Sequence, residues 1–313
     1  MTGLIEVKSK VMKASAVNNA ELVTKWLAFA QVKPASVRAY TKGVKNFLAF
    51  VKTNDISGIT REVLIGYKEY LGGKYKAATA NLYLTATKLF VGFLYQEGAI
   101  VTNVAERIKN FKVSEQHAKD ALSAQMTKKI IAAFDTATLK GKRDKAIYTL
   151  MTTCGLRCVE VMRANVGDLV NRGDKVFLQV QGKGRDDKNE CVEVPSPVMN
   201  LITMYLASRA GVGDDEPLFA SVSHRNFGCR LTTTSISRII KTTLRDNGID
   251  SSRITAHSLR HTCANTMIIN GVDLRRVQEV LRHKNITVTQ RYLHELDRYN
   301  NGGEVICAAA FGL

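Results

Sequence analysis

Apolar residues recur at helical spacing in several blocks between Glu21 and Phe111, and the blocks are interrupted at Lys33-Pro34, Gly58 and Gly72-Gly73. This pattern predicts four or five short helices. In the block that follows Ser36, the residues Tyr40, Val44, Phe47, Leu48 and Val51 form one apolar stripe, while Arg38, Lys42 and Lys45 lie away from it. A second block, Ala77 to Tyr95, repeats the arrangement with Leu82, Leu84, Leu89, Phe90 and Phe93. The periodicity lapses between Lys112 and Leu122, where VSEQHAKDA is polar, so residues 111–122 read as an interdomain linker. Helical spacing resumes at Ser123. Helices are predicted over about 125–134, 142–154, 197–209, 234–247, 257–270, 274–281 and 287–294. Two alternating stretches, Lys175 to Val180 and Glu190 to Val194, are joined by QGKGRDDKN and predict a β-hairpin with an exposed basic tip. The expected fold is mainly α with a small β-sheet (α+β), in two domains: a helical domain over residues 1–110 and a second domain over 123–313 with a C-terminal tail.

With 313 residues and 45% hydrophobic content, the chain can build two ordinary cores. Its 45 Lys and Arg outnumber 28 Asp and Glu, and a net charge of +17 suits a polyanionic partner, nucleic acid first. Residues 1–110 hold 16 basic and 7 acidic side chains, which makes this third the more basic. Arg38, Lys42, Lys45 and, on the hairpin, Arg185 are candidate phosphate contacts; the plainer reading of each is a solvated outer face. Met1 to Ala20 lacks the apolar run of a secretory signal or membrane span, so a cytoplasmic, nucleoid-associated protein is expected. Six scattered cysteines form no C-x-x-C pair, no carboxylate cluster would hold a metal, and no P-loop appears. No cofactor is therefore expected.

The residues that could carry chemistry are Arg157 in TCGLRCVEV, Lys183 in QGKGR, His257 and Arg260 in HSLRH, His283 in VLRHKN and Tyr292 in TVTQRYLH. Singly, each has an ordinary reading: a capping arginine, a solvated lysine, a half-buried tyrosine. Together, in this order, they resemble the tyrosine recombinase or phage integrase family. His257-Ser258-Leu259-Arg260-His261 matches the family's H-x-L-R-H, and His283 lies nine positions before Tyr292, which Thr289 precedes by three. The resemblance covers about Ala121 to Tyr292 by motif and residues 17–110 by helical pattern, and it is nearest to two-domain Xer-like and transposon integrases. Two departures stand out. Cys263 replaces an aromatic residue common after the motif, and Arg282 sits where Gly commonly precedes the second His; Arg282 is read as facing solvent, with a phosphate contact as the alternative.

The resemblance implies a site-specific recombinase that cleaves and rejoins DNA through a 3′-phosphotyrosine at Tyr292. Physical chemistry gives the residues matching reasons. A phosphodiester repels nucleophiles, so the site must place positive charge on the oxygens that gain charge in the transition state. Arg157 and Arg260 can each bind two such oxygens. A phenol leaves more readily than a sugar hydroxyl, so a tyrosyl ester stores the bond for religation. By the resemblance His257 is the general base and His283 a donor to a non-bridging oxygen. Lys183 is the candidate acid for the departing 5′ oxygen, with Arg185 and Lys188 as neighbours on its loop. Glu160, three residues after Arg157, would orient the arginine or a histidine; the alternative is a plain surface carboxylate. Tyr299 is the rival nucleophile. The implied partners are double-stranded DNA carrying a specific site, further protomers forming a tetramer on two sites, and accessory DNA-bending proteins. Two other readings stay open: a type IB topoisomerase-like relaxing enzyme, and a catalytically silent DNA-binding protein. Residues 1–20 are too short for an additional arm-binding domain, and the apolar tail after Gly303 is expected to dock on a neighbouring protomer or fold back.

Overall fold

The structure is a computed structural model and describes residues 19–31, 34–51, 58–113, 120–182, 187–209, 211–292 and 303–311. The chain divides into two compact units, Met1–Ser114 and Glu115–Leu313. In the first unit the described residues form four helices, α1 (Asn19–Phe29), α2 (Pro34–Val51), α3 (Arg61–Lys74) and α4 (Ala77–Gln96). Thr60 starts α3 by accepting the Val63 amide, the usual way of satisfying an orphan first-turn donor. Trp26, Val44, Phe47, Tyr67, Leu84 and Phe90 are buried together in its core. The stripe on α2 faces inward, and Arg38, Lys42 and Lys45 are exposed on the other side. On α4 the expected stripe is corrected: Leu84, Phe90 and Phe93 are buried, whereas Leu82 and Leu89 are 38% and 46% exposed. At 100° per residue, positions 82 and 89 share a face nearly opposite that of 84.

The boundary between the units, after Ser114, falls inside the expected linker 111–122. Phe111 is held to the first unit by paired hydrogen bonds with the Asn81 side chain. At the other end, the Leu122 amide donates to Thr262 Oγ1, and Asp120 pairs with Arg253. These anchors are side-chain bonds that polar composition does not reveal, reaching 30 positions back to Asn81 and 140 and 133 positions forward to Thr262 and Arg253. Residues 114–119 lie outside the described residues.

The second unit packs helices around a small sheet. Ser123 and Thr138 cap α5 (Ala124–Ala132) and α6 (Leu139–Cys154), and Thr232 caps α9 (Thr233–Asp246). A short helix, α7 (Cys158–Arg163), follows α6 and was not predicted; six residues are too few to show periodicity. The predicted hairpin is present as β2 (Lys175–Val180) and β3 (Glu190–Val194), antiparallel, with Leu178 opposite Val192. A third strand, β1 (Leu169–Arg172), pairs with β2 through a tight turn at Gly173-Asp174. The remaining helices are α8 (Ser196–Leu206), α10 (Ala256–Ile269), α11 (Leu274–Leu281), α12 (286–292) and α13 (Gly303–Ala310). The main core holds Ile147, Leu178, Val192, Ile202, Ile240 and Leu259. A smaller cluster joins Cys263, Ala264, Val277, Leu281 and Tyr292, and so ties α10, α11 and α12 together. Among the described residues no helix is long and apolar enough to cross a membrane.

One glycine sets how closely these helices approach. Gly155 ends α6 in the left-handed region, at φ +61°, and a Cβ there would stand 2.6 Å from Leu281 Cδ2. Gly155→Ala is therefore expected to lose about 1–3 kcal/mol of stability, from backbone strain and overpacking. Urea denaturation measures this; an unchanged midpoint would show that α11 yields without cost.

Candidate active site

Arg157 occupies the N-cap of α7, and its amide donates to Glu160 Oε2 at 2.8 Å while its Nη1 donates to Glu160 Oε1 at 2.6 Å. Glu160, at the third position of that helix, has a fully buried side chain. The surface-carboxylate alternative is thereby removed, and orientation of Arg157 is what the geometry supports. Glu160 is raised by burial, but Arg282, the Arg157 amide and the Arg157 guanidinium outweigh this and hold its carboxyl below the ordinary range.

Arg260 arrives from α10 and is 1% exposed. Its Nη1 donates to the Gly155 carbonyl at 2.6 Å, and its Nη2 to the Leu281 carbonyl. Each carbonyl lies at the end of a helix, where backbone acceptors lack intrahelical partners. Burial, then the charges of Arg157 and Arg282, lower the pKa of Arg260 to about 9, which leaves it protonated at neutral pH. Arg282 is the correction in this site. It does not face solvent: its side chain is 5% exposed, and its Nη2 donates to Glu160 Oε2 at 2.8 Å. Three guanidiniums therefore converge around one carboxylate.

His283 follows Arg282 directly, and its Nδ1 lies 2.9 Å from Thr289 Oγ1. Burial, then Arg260, Arg157, Arg282 and His257, push its pKa down to about 3, so the ring is neutral near pH 7. Thr289 and Tyr292 are three residues apart on α12 and share its buried face. The Tyr292 ring lies parallel to that of His283, with centroids 6.3 Å apart, and 5.3 Å from the ring of His261. His261 in turn stands 4.6 Å from the ring of His257, which is exposed at the start of α10. His261, read as a bystander, thus bridges His257 and Tyr292. The i, i+4 spacing of the two histidines was its available signal.

The hairpin residues Lys183 and Arg185 lie outside the described residues, as do His294 and Tyr299. Both stem ends are anchored: Arg163 Nη1 donates to the Gly182 carbonyl at 3.1 Å, and Lys188 Nζ pairs with Asp168 at 2.5 Å. Lys188 is committed to that ion pair. A cavity of about 480 Å³ is lined by Glu190 and Cys191 of β3 together with Arg275, Gln278, Arg282 and His283, so the hairpin stem adjoins the arginine cluster. Arg38, Lys42 and Lys45 belong to the first unit and are not part of this cluster.

Comparison with known proteins places two family profiles on the chain: "Phage integrase family" over residues 120–298 and "Phage integrase, N-terminal SAM-like domain" over 27–98. The chain is 30% identical to tyrosine recombinase XerC of Herpetosiphon aurantiacus, across 83% of this chain and 84% of that protein. It is also 30% identical to tyrosine recombinase XerA of Pyrococcus furiosus, across 82% of each. In fold it resembles the XerH site-specific recombinase bound to a palindromic difH substrate in a post-cleavage complex, with a TM-score of 0.70, 18% identity and coverage of 92% of this chain and 84% of that one. A lambda integrase tetramer bound to a Holliday junction gives a TM-score of 0.68, 17% identity and coverage of 88% and 77%.

The neutral, buried His283 has a consequence for stability. Between about pH 6.5 and 3 the unfolded chain binds a proton at this position and the folded chain does not, so stability falls as pH falls through that window. The expected slope is up to about 1.4 kcal/mol per pH unit from this group. Urea titrations across pH 7 to 4.5 should show His283→Gln with a shallower decline than the parent. Equal slopes would assign the acid sensitivity elsewhere.

Proposed function

Because the chain belongs to the phage integrase family of tyrosine recombinases, we propose that Tyr292 attacks a DNA phosphodiester in a site where Arg157 and Arg260 hold the phosphate. The protein is a site-specific DNA recombinase, and it acts by breaking and rejoining strands. The observation that carries the residue assignment is the gathering of three guanidiniums, two of them paired with the single carboxylate of Glu160 and the third held by backbone carbonyls, beside a buried tyrosine. Such a site has an unmet demand for an anion, and a phosphate in that position gains charge-assisted bonds as negative charge develops on its oxygens.

The remaining roles follow from position. Neutral His283 donates from Nε2 to a non-bridging oxygen, and Thr289 keeps the proton there by donating its hydroxyl to Nδ1. His257 accepts the phenolic proton and returns it on religation, with His261 between its ring and that of Tyr292. The phenolic oxygen bonds to phosphorus as the 5′ oxygen leaves, and that oxygen takes a proton from Lys183. The anchored stem beside the arginine cluster supports delivery of Lys183 from the hairpin. Phosphate contacts by Arg38, Lys42, Lys45 and Arg185 supply much of the binding.

Four protomers on two DNA sites are the proposed assembly, with accessory DNA-bending proteins as further partners. The tail supports it: Cys307, Ala309 and Ala310 of α13 are exposed and Phe311, just beyond its end, is 75% exposed, a surface suited to a neighbouring protomer. A relaxing enzyme would need one duplex only, so exchange of strands between two sites separates recombination from topoisomerase activity. A silent binder would form no adduct.

Tyr292→Phe should bind DNA normally and leave no protein-linked strand on denaturing electrophoresis. An adduct lost on Tyr299→Phe and kept on Tyr292→Phe would move the nucleophile to the other tyrosine. For Lys183, replacing the departing 5′ oxygen by sulfur makes departure nearly independent of an acid. Lys183→Ala should then cleave the modified strand at close to the parent rate while failing on ordinary DNA; absence of recovery would make Lys183 a phosphate contact.

A further inference from the structure

Arg282 is a residue at which two local costs coincide. Its backbone is in the left-handed region, φ +54°, which favours glycine. Its Nε is buried with no hydrogen-bond partner, although its side chain is 5% exposed. A buried orphan donor and a disfavoured backbone on one residue persist only where the surroundings demand that conformation. A side chain swung out into solvent at the end of α11 would avoid the second cost, since water would then reach Nε.

The contacts show what the conformation achieves. The left-handed turn closes α11 by returning the Arg282 amide to the Gln278 and Glu279 carbonyls. The side chain turns inward, where Nη2 meets Glu160 Oε2 at 2.8 Å and lies 3.5 Å from the Gly155 carbonyl. Glu160 Oε1 is then left to Arg157 Nη1 at 2.6 Å. The Arg282 carbonyl accepts from Arg157 Nη2 at 3.4 Å, so Arg157 is gripped through Glu160 on one side and by the Arg282 backbone on the other. Arg282 also precedes His283, so the same turn sets the direction in which that imidazole leaves the helix end.

We propose that Arg282 is a positioning residue for cleavage: it clamps Glu160 in the ionised, doubly bonded state that aims the Arg157 guanidinium at the scissile phosphate. The inference rests on the assignment of Arg157 as a phosphate-binding arginine. Glu160 faces Arg157 on its own helix, Arg282 at the end of α11 and the charge of Arg260 on α10. Removing Arg282 takes away one of the cations that keep Glu160 ionised, and a protonated Glu160 could no longer accept both Arg157 bonds.

The test is single-turnover cleavage of a nicked site by the full chain, read with DNA affinity, thermal stability and the pH profile of the rate. Arg282→Gly suits the left-handed backbone and deletes the clamp; Arg282→Lys keeps a charge without the fork. Arg282→Gly is expected to fold and to bind DNA within about twofold of the parent, and to cleave slower by on the order of ten- to a hundred-fold at neutral pH. Its rate should be more sensitive to acid than that of the parent, because Glu160 has lost one of the cations that hold its carboxyl low. Arg282→Lys should fall between the two. Glu160→Gln combined with Arg282→Gly should lose little beyond either change alone, because both act through Arg157. Parent-like cleavage by Arg282→Gly with an unchanged pH profile overturns the clamp. So does a loss of affinity as large as the loss of rate, which would make Arg282 a direct DNA contact, and so do additive losses in the double variant. If Arg282→Gly does not fold, Arg282→Lys decides by the same rate and pH criteria. Arg157→Ala and Tyr292→Phe are run beside them: if these still cleave, the site assignment itself fails, whereas their inactivity beside an unaffected Arg282→Gly removes the clamp alone.

Discussion

The second unit is organised around an electrostatic imbalance: Glu160 pairs with the guanidiniums of Arg157 and Arg282, and the charge of Arg260 lies close enough to be felt by all three. Holding like charges together away from water is unfavourable, and the depressed pKa values of Arg260 and His283 are the visible results. The imbalance is tolerated because backbone carbonyls at the ends of α6 and α11 share the charge. Those carbonyls are the unsatisfied acceptors that any helix end leaves. In the proposed function a DNA phosphate supplies the missing negative charge.

This arrangement explains why the site is assembled from helix ends. α6 ends at Gly155 and contributes its carbonyl, whereas α7 begins at Arg157 and α11 ends at Arg282, and these two contribute backbone groups and a guanidinium each. The small core of Cys263, Val277, Leu281 and Tyr292 fixes those ends relative to one another. Tyr292 has a double role here. Its ring belongs to that core and also lies against the rings of His261 and His283, and it is the nucleophile of the proposed reaction. Packing and chemistry therefore cannot be varied independently at this residue.

Much of the fold was legible because it depends on local pattern. Helix α11 was read at its observed bounds, and β2 and β3 emerged from simple alternation with their limits intact. The errors had local causes too. β1 is four residues long and α7 six, too short for either period to declare itself, and Leu82 and Leu89 were grouped with Leu84, which lies on the far side of their own helix. The bonds that hold Asp120 and Leu122 to Arg253 and Thr262 come from distant parts of the chain and leave no local pattern.

The sequence by itself determined the order and spacing of the arginines, histidines and tyrosine, because those are one-dimensional and the phosphate chemistry they suit follows from residue type. Tertiary structure alone decided which groups share a charge. Nothing in the spacing distinguishes Arg282 facing solvent from Arg282 buried against Glu160, 122 residues away. Nor could it show that His261 lies between His257 and Tyr292, or that Thr289 meets His283. Such relations depend on how α7, α10, α11 and α12 cross, which is set by packing across the whole domain and only weakly by any one segment.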